Sequence, residues 1–217
     1  MNQGVFADRI EAGALLARRV VSRPRPGRCV VLALPRGGVP VGVAVARALQ
    51  APLDLLLVRK IGCPWQPELA IAAVVEGTPP QLVIDESICA RLGIDRRDIE
   101  ARVPEAVREI ERRRQVYLRG RPPLDVAGAT TIVVDDGIAT GNTMRAALYA
   151  LRQRKPRRLV LAVPVAPEST LAEMRGEVDE IVCLRTPFPF HAIGQHYRDF
   201  HQVSDAEVIE ALDDLTR

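Results

Sequence analysis

The sequence predicts an α/β protein built on a mostly parallel five-stranded sheet that is flanked by helices and carries a smaller subdomain. First, 217 residues with 47% hydrophobic and 26% charged content are typical of a globular chain. Second, aromatic residues make up only 4%, so aliphatic side chains supply the core, as in strands buried on both faces. Third, short aliphatic runs alternate with helical patterns, which favours parallel strands with crossovers in a Rossmann-like sheet.

The regular elements are predicted from hydrophobic periodicity. An amphipathic helix is expected over residues 5–21. Five uniformly apolar runs are expected to be buried strands, at 29–34, 53–58, 130–135, 158–165 and 180–184. Helical patterns cover 39–49, 142–152 and 167–174. Ser204 and Glu207 have the spacing of a capping box, which predicts a last helix over 205–215.

An insert interrupts the strand–helix alternation. About 70 residues separate the second and third runs, more than one crossover needs. We therefore predict a single domain, 1–217, with an insert at about 62–124 that forms the smaller subdomain. Two apolar runs around residues 78–80 predict a hairpin in it. A charged helix should follow over 95–118, with Pro104 marking its start or a kink.

Charge, cysteines and hydropathy exclude several classes of protein. Thirty basic and 27 acidic residues give a net charge of +3, an excess too small to indicate nucleic acid by itself, and a nucleic-acid partner is not expected. The four cysteines form no C-x-x-C pair, so neither a disulfide framework nor a zinc ribbon is expected. Three histidines, at 191, 196 and 201, share no helical face, which argues against a three-histidine metal site. Without a signal-peptide pattern or a long apolar stretch, the chain is expected to be cytoplasmic and off the membrane.

The segment 132–143, IVVDDGIATGNT, carries the most specific chemical signal. An apolar strand ends in two carboxylates, Asp135 and Asp136, and a loop rich in glycine and threonine leads directly into a helix. Converging loop amides, hydroxyls and the positive end of the helix dipole suit a phosphate monoester. The carboxylates would repel that phosphate unless they accept hydrogen bonds from sugar hydroxyls or help to hold Mg²⁺. A ribose 5-phosphate would satisfy both halves of the segment.

This segment resembles the phosphoribosyl-pyrophosphate (PRPP) binding signature of type I phosphoribosyltransferases. Residues 34–39, LPRGGV, resemble that family's pyrophosphate loop, and Arg59–Lys60 match the place of a basic residue near the leaving pyrophosphate. The insert occupies the place of the family's hood and mobile catalytic loop. The resemblance extends over residues 5–212 and is stronger to a bacterial group of phosphoribosyltransferases whose acceptor base is unassigned.

The resemblance implies a pentosyltransferase of nucleotide salvage, which moves the phosphoribosyl group of PRPP to a nitrogenous base and releases pyrophosphate. Mg²⁺ would arrive with PRPP, with no metal ligands assigned to the protein, and a homodimer is left open. Asp135, Asp136, Arg36 and Lys60 would be catalytic. The PRPP-binding residues would be Arg36, Gly37, Gly38, Lys60, Asp135, Asp136, Gly137, Ile138, Ala139, Thr140, Gly141, Asn142 and Thr143. Phe188 and Phe190, in the aromatic run after the last strand, would stack on the acceptor.

Two positions depart from the family pattern. Enzymes for 6-oxopurines usually have an acid just before the Thr-Gly pair, where this chain has Ala139, so adenine-like or orotate-like acceptors are expected instead. Gly137 replaces a common aliphatic residue and predicts extra loop freedom. Because the strand-end acids have no evident structural partner in the sequence, Asp135→Asn and Asp136→Asn are expected to fold normally and to lose turnover.

Other interpretations stay open. Seven arginines between residues 102 and 121 form either a solvated helix or a segment whose 112–123 end closes over PRPP. The chain could also be a module that senses PRPP or a nucleotide, catalyses little and uses these arginines to contact RNA, DNA or a protein. A hydrolase for a phosphorylated sugar is a third interpretation.

Overall fold

The carboxyl ends of five parallel strands form one edge of a central sheet. The computed structural model describes residues 4–25 and 27–215; residues 1–3, 26 and 216–217 of the predicted domain lie outside the described part. The strands are β1 Cys29–Ala33, β2 Leu53–Leu55, β6 Thr130–Val134, β7 Arg158–Val165 and β8 Glu180–Arg185. Their order in the sheet is β2-β1-β6-β7-β8, all parallel. The predicted α/β fold is confirmed.

Helices cover both faces of this sheet. They are α1 Arg9–Val21 and α2 Gly38–Leu49 on one face, and α6 Asn142–Gln153 and α7 Glu168–Met174 on the other. Successive residues of β1 alternate between the two cores: Val31 and Ala33 pack with α1 and α2, whereas Val30 and Leu32 pack with α6. Burial on both faces explains why the strands are uniformly apolar.

The insert forms a second, antiparallel sheet in the order β3-β4-β5, followed by three helices. Its strands are β3 Val58–Cys63, β4 Gln66–Val75 and β5 Gln81–Ile84, and its helices are α3 Glu86–Leu92, α4 Arg96–Glu100 and α5 Val103–Leu118. The predicted hairpin is confirmed as β4–β5. We call residues 58–118 the hood. Whether it is one insert within a single domain stays a prediction.

A buried ion-pair network joins the hood to the central sheet. The Arg114 guanidinium, on α5, binds Glu76 at the end of β4 and lies 3.3 Å from Asp54 on β2. The main-chain amide of Leu124 also donates to Asp54 at 2.8 Å. The long helix of the hood is therefore fixed to the domain core.

The structure corrects three predicted boundaries. The apolar run 53–58 is two strands in different sheets, because β2 ends at Leu55 and Val58 begins β3. The charged helix 95–118 is divided into α4 and α5, and Pro104 lies in the first turn of α5, as a start signal. The first helix begins at Arg9 and not at residue 5. The short α3 was not predicted.

The last helix, α8 Asp205–Asp213, begins with the predicted capping box of Ser204 and Glu207. In the described ranges, none of the helices has the length and apolar character needed to cross a membrane.

Candidate functional site

Two loops leave the carboxyl edge of the sheet side by side, because β1 and β6 are paired neighbours. After β1 the chain turns through residues 34–38, held by hydrogen bonds from Leu34 to Val134 and from Gly38 back to Leu34. After β6 it continues into Asp135 and Asp136. The two segments singled out in the sequence, about 100 residues apart, thus meet at the edge where parallel α/β sheets bind ligands.

Gly37 and Gly38 let these loops touch. A Cβ atom on Gly37 would lie 2.7 Å from Cγ of Asp136 and closer still to its Oδ2. A Cβ atom on Gly38 would lie 2.9 Å from Cα of Asp135. The glycines are needed here for close approach, since Gly37 itself has an ordinary helical φ of −59°.

Arg36 lies in the turn before α2 with its side chain partly exposed, and its preceding peptide bond, Pro35–Arg36, is cis. Its guanidinium is 3.5 Å from the Asp205 carboxylate in the first turn of α8. That carboxylate also accepts a 2.7 Å hydrogen bond from the Tyr117 hydroxyl. Burial and this hydrogen bond raise the pKa of Tyr117 to about 12. The first loop is therefore tied to the hood and to the last helix.

Asp136 has a structural partner that the sequence did not reveal. Arg9, at the start of α1, donates from Nε to Oδ2 of Asp136 at 2.7 Å, and the two side chains are only 9% and 11% exposed. The Tyr197 hydroxyl donates to the Asp136 carbonyl at 2.6 Å. We expected Asp136→Asn to fold normally because the sequence shows no structural partner for Asp136, and that assumption is wrong. The variant would leave Arg9 buried without its counter-charge.

The electrostatics of the two acids are coupled. Burial is the largest influence on both carboxyls and raises the pKa of Asp135 and of Asp136. The Asp136 carboxylate raises the pKa of Asp135 further, whereas the Arg9 guanidinium acts to lower both pKa values. Ligand hydroxyls or a cation placed at Asp135 would favour its ionised form.

The glycine- and threonine-rich loop is held by its neighbours on β7 and α7. The Ile138 amide donates to the Val165 carbonyl at 3.0 Å, and the Thr170 hydroxyl donates to the Ala139 carbonyl at 2.8 Å. Gly141 has the left-handed φ of +78° at the N-cap of α6, a conformation that favours glycine. Thr140, before α6, and Asn142, its first residue, are exposed, and Thr143 in the first turn of α6 is partly exposed. The loop thus leads directly into the start of α6, a place that suits an anion, and its phosphate-binding role stays a prediction.

Gly137 is needed for packing, and the predicted loop freedom is wrong. A Cβ atom there would lie 2.6 Å from Ile193 Cγ2 and 3.0 Å from Val165 Cγ1. Ile193 belongs to a short 3₁₀ helix, Ile193–His196, in the segment after β8. This segment therefore packs directly on the signature loop.

Lys60 is on β3 of the hood and not at the carboxyl edge of the central sheet. It lines an open cleft of about 640 Å³ between the hood sheet and α6, together with Asn142 and Thr143. A smaller cleft of about 350 Å³ adjoins the other side of the site; its lining includes Arg9, Arg36, Gly37 and Asp136. The structure thus brings the two predicted PRPP-binding loops together at the carboxyl edge of the sheet, whereas Lys60 faces only Asn142 and Thr143, across the larger cleft.

The two predicted acceptor residues differ in their surroundings. Phe188 is 98% exposed. Phe190 packs with the buried cluster of Phe6 and Tyr197 and stacks on His196, with ring centroids 5.1 Å apart. One face of the Phe190 ring is therefore already covered, and the acceptor role of both residues stays a prediction.

His201 lies beside the smaller cleft, between two carboxylates. Its Nδ1 is 2.9 Å from Asp199 and its Nε2 is 2.9 Å from Glu207. These hydrogen bonds raise the pKa of His201. The three histidines do not converge, and the described residues contain no group of three or more metal-binding side chains.

The arginine-rich segment 102–121 is engaged in internal contacts. Arg112 and Arg113 both bind Glu109 on the same helix, and Arg114 is buried in the network that joins the hood to the core. The segment is a partly solvated helix that runs into a loop after Leu118, and closure of its 112–123 end over PRPP stays a prediction.

Comparisons with known proteins agree with this geometry. The family model described as phosphoribosyl transferase domain matches residues 10–197. A protein named as a phosphoribosyl transferase in two strains of Mycobacterium tuberculosis, CDC 1551 and H37Rv, is 44% identical over 209 residues, or 96% of this chain. The chain spans about half the length of these relatives, since the match covers 46% of each. The crystal structure of TT1426 from Thermus thermophilus is 39% identical, with a TM-score of 0.82, and the match covers 97% of this chain and 99% of that one.

Proposed function

The chain belongs to the phosphoribosyl transferase family, and from that premise we propose that it transfers the phosphoribosyl group of PRPP to a nitrogenous acceptor and releases pyrophosphate. The observation that carries the proposal is the contact between the two loops. A glycine loop suited to a diphosphate packs, through Gly37 and Gly38, on the acids that precede a phosphate loop. PRPP carries a diphosphate and a 5-phosphate on one ribose, so a single ligand can span both loops.

The 5-phosphate would bind at the start of α6. Loop amides and the helix dipole favour a dianion there, and Thr140, Gly141, Asn142 and Thr143 surround the position. The hydrogen bond from Thr170 to the Ala139 carbonyl supports this role, because it engages a carbonyl oxygen whose partial negative charge would otherwise repel an anion in the loop.

The ribose and the diphosphate would lie between the loops. Asp135, which is partly exposed, would accept hydrogen bonds from ribose hydroxyls. Arg36 and the Gly37–Gly38 amides would bind the diphosphate, which arrives with its Mg²⁺ as part of the substrate. Lys60, from the opposite side of the larger cleft, would add positive charge.

In the reaction, the C1–O bond to the diphosphate breaks while the acceptor nitrogen forms a bond to C1. The bonding electron pair leaves with the diphosphate, and the acceptor proton leaves to solvent. Charge develops on the sugar ring and on the leaving group, so the protein contributes mainly orientation and electrostatic stabilisation.

Ala139 argues for an acceptor other than hypoxanthine or guanine. A site that lacks the polar side chain with which a ligand would form a hydrogen bond does not select that ligand over its analogues. We therefore propose adenine, a pyrimidine or an amine, bound against the exposed ring of Phe188.

A panel of bases with Mg²⁺ and PRPP, followed by pyrophosphate release, tests the proposal. Wild-type protein should turn over at least one acceptor, and Asp135→Asn should lose turnover while keeping its unfolding temperature. Efficient use of guanine would contradict the argument from Ala139. Tight PRPP binding without turnover of any acceptor would instead support a sensing module.

A further inference from the structure

Arg9 contacts one of the two acids and two further groups. Besides its bond to Asp136, it donates from Nη1 to the His201 carbonyl at 2.9 Å. Its guanidinium also lies 3.9 Å from the centroid of the Phe200 ring. Only a planar, multidentate cation can make two directed hydrogen bonds and a face contact at once. Arg9 is therefore fixed relative to the segment after β8 as well as to the site.

The contacts of Asp136 hold it in place between the two ligand loops. One carboxylate oxygen is bound to Arg9, the same carboxylate faces Gly37, and the main-chain oxygen accepts from Tyr197. Asp135 differs, because it is partly exposed and, among the described ion pairs, it has no cationic partner. Its Oδ1 accepts from the Asp136 amide at 2.9 Å, so the orientation of Asp136 is passed to Asp135.

We propose that Arg9 is a positioning residue, which orients Asp136 so that the Arg9–Asp136 pair sets the spacing between the diphosphate loop and the phosphate loop. The identity of the ligand in this inference rests on the proposed function, whereas the contacts of Arg9 and Asp136 do not.

The location of the pair supports this role over simple stabilisation. The desolvation free energy of two buried charges offsets much of their Coulombic attraction, so a buried ion pair is weak evidence for stability. This pair also lies at the ligand edge of the sheet, between the two loops, and it lines the smaller cleft. Arg9 also opposes the rise in the pKa of Asp135 that burial and the Asp136 carboxylate cause.

The test compares Arg9→Met and Arg9→Lys with Arg18→Met, which removes an exposed arginine from the same helix. Amide hydrogen exchange is measured without ligand for residues 34–38 and 137–143, with the hood sheet as internal reference. Arg9→Met should accelerate exchange in both loops by about tenfold or more while the hood sheet is unchanged. Equal acceleration everywhere would mean a global stability effect, and unchanged loops would mean no positioning; either result overturns the inference.

Titration with Mg²⁺–PRPP across neutral pH provides the second readout. Arg9→Met should weaken binding by about ten- to a hundredfold and shift the apparent pKa for binding upward. Arg9→Lys, which keeps the charge, should retain the wild-type pH profile at reduced affinity and remains informative if Arg9→Met does not fold. Wild-type affinity and profile in a folded Arg9→Met protein would refute the positioning role. Failure of the wild-type protein to bind PRPP would refute the proposed function but not the exchange result.

Discussion

Replacing Gly37 with alanine would test the close contact between the two ligand loops. The added Cβ would lie 2.7 Å from Cγ of Asp136, a separation that real Cβ atoms do not show. The carboxylate cannot simply rotate away, because Arg9 binds it at 2.7 Å in a buried setting. We expect overpacking to cost about 1–3 kcal/mol of unfolding free energy. Because Gly37 has a helical φ, alanine also lowers the conformational entropy of the unfolded chain. This stabilises the folded protein by about 0.4–1 kcal/mol and offsets part of the cost.

The matched control is Gly176→Ala. Gly176 is exposed, an added Cβ would meet nothing within 4 Å, and its φ is not in the left-handed region. Urea denaturation should therefore show Gly37→Ala to be less stable than Gly176→Ala by at least about 1 kcal/mol. Calorimetric titration should show weaker binding of Mg²⁺–PRPP by Gly37→Ala alone.

A double-mutant cycle identifies the contact responsible. In an Asp136→Ala background the obstructing carboxylate is gone, so the cost of Gly37→Ala should largely disappear. If Gly37→Ala is as stable as Gly176→Ala and binds PRPP normally, or if its cost is the same in both backgrounds, the two loops do not touch in the way described and the reasoning fails.

Three further predictions concern separate parts of the molecule. Arg114→Met leaves the buried carboxylates Asp54 and Glu76 without their cation and should cost about 3–5 kcal/mol in urea denaturation; a cost under about 1 kcal/mol would show that the network is dispensable. Thr143→Val keeps the shape of the phosphate loop but removes a hydroxyl, so calorimetry should show PRPP binding weakened by about 1–2 kcal/mol; unchanged affinity would place the phosphate elsewhere. The raised pKa of His201 means that its contribution to stability is complete below the unfolded pKa of about 6.5 and is lost as pH rises through the folded value. Thermal unfolding of wild type should show this loss and His201→Gln should not; parallel profiles would contradict it.

Local patterns predicted most of the scaffold. The strands of the central sheet are uniformly apolar because both faces are covered, and that property is visible in any short window of sequence. The boundary between the two sheets is different, because Leu56 and Leu57 are buried although they belong to neither sheet. The apolar run 53–58 therefore continues without a break while the chain changes sheets.

The phosphate loop was predictable for a similar reason, since its residues are consecutive. Its glycines were harder to interpret. Glycine at a position such as Gly137 signals either backbone freedom or a close approach, and only the position of Ile193, far along the chain, shows that close approach applies. The sequence carries no local trace of that neighbour.

The residues that hold the acid pair in place lie near the two ends of the described part of the chain. Phe6 forms an isolated β-bridge with Tyr197. Arg9 binds Asp136, 127 residues away, and the His201 carbonyl, 192 residues away. The family match covers residues 10–197, so Arg9 and His201 lie just outside it while the acid that they hold in place lies inside. A segment that contains the whole signature but ends at these limits would keep Asp135 and lose the cation that orients Asp136. For this chain, the signature identifies the ligand chemistry, whereas the geometry of the site depends on residues that the signature does not contain.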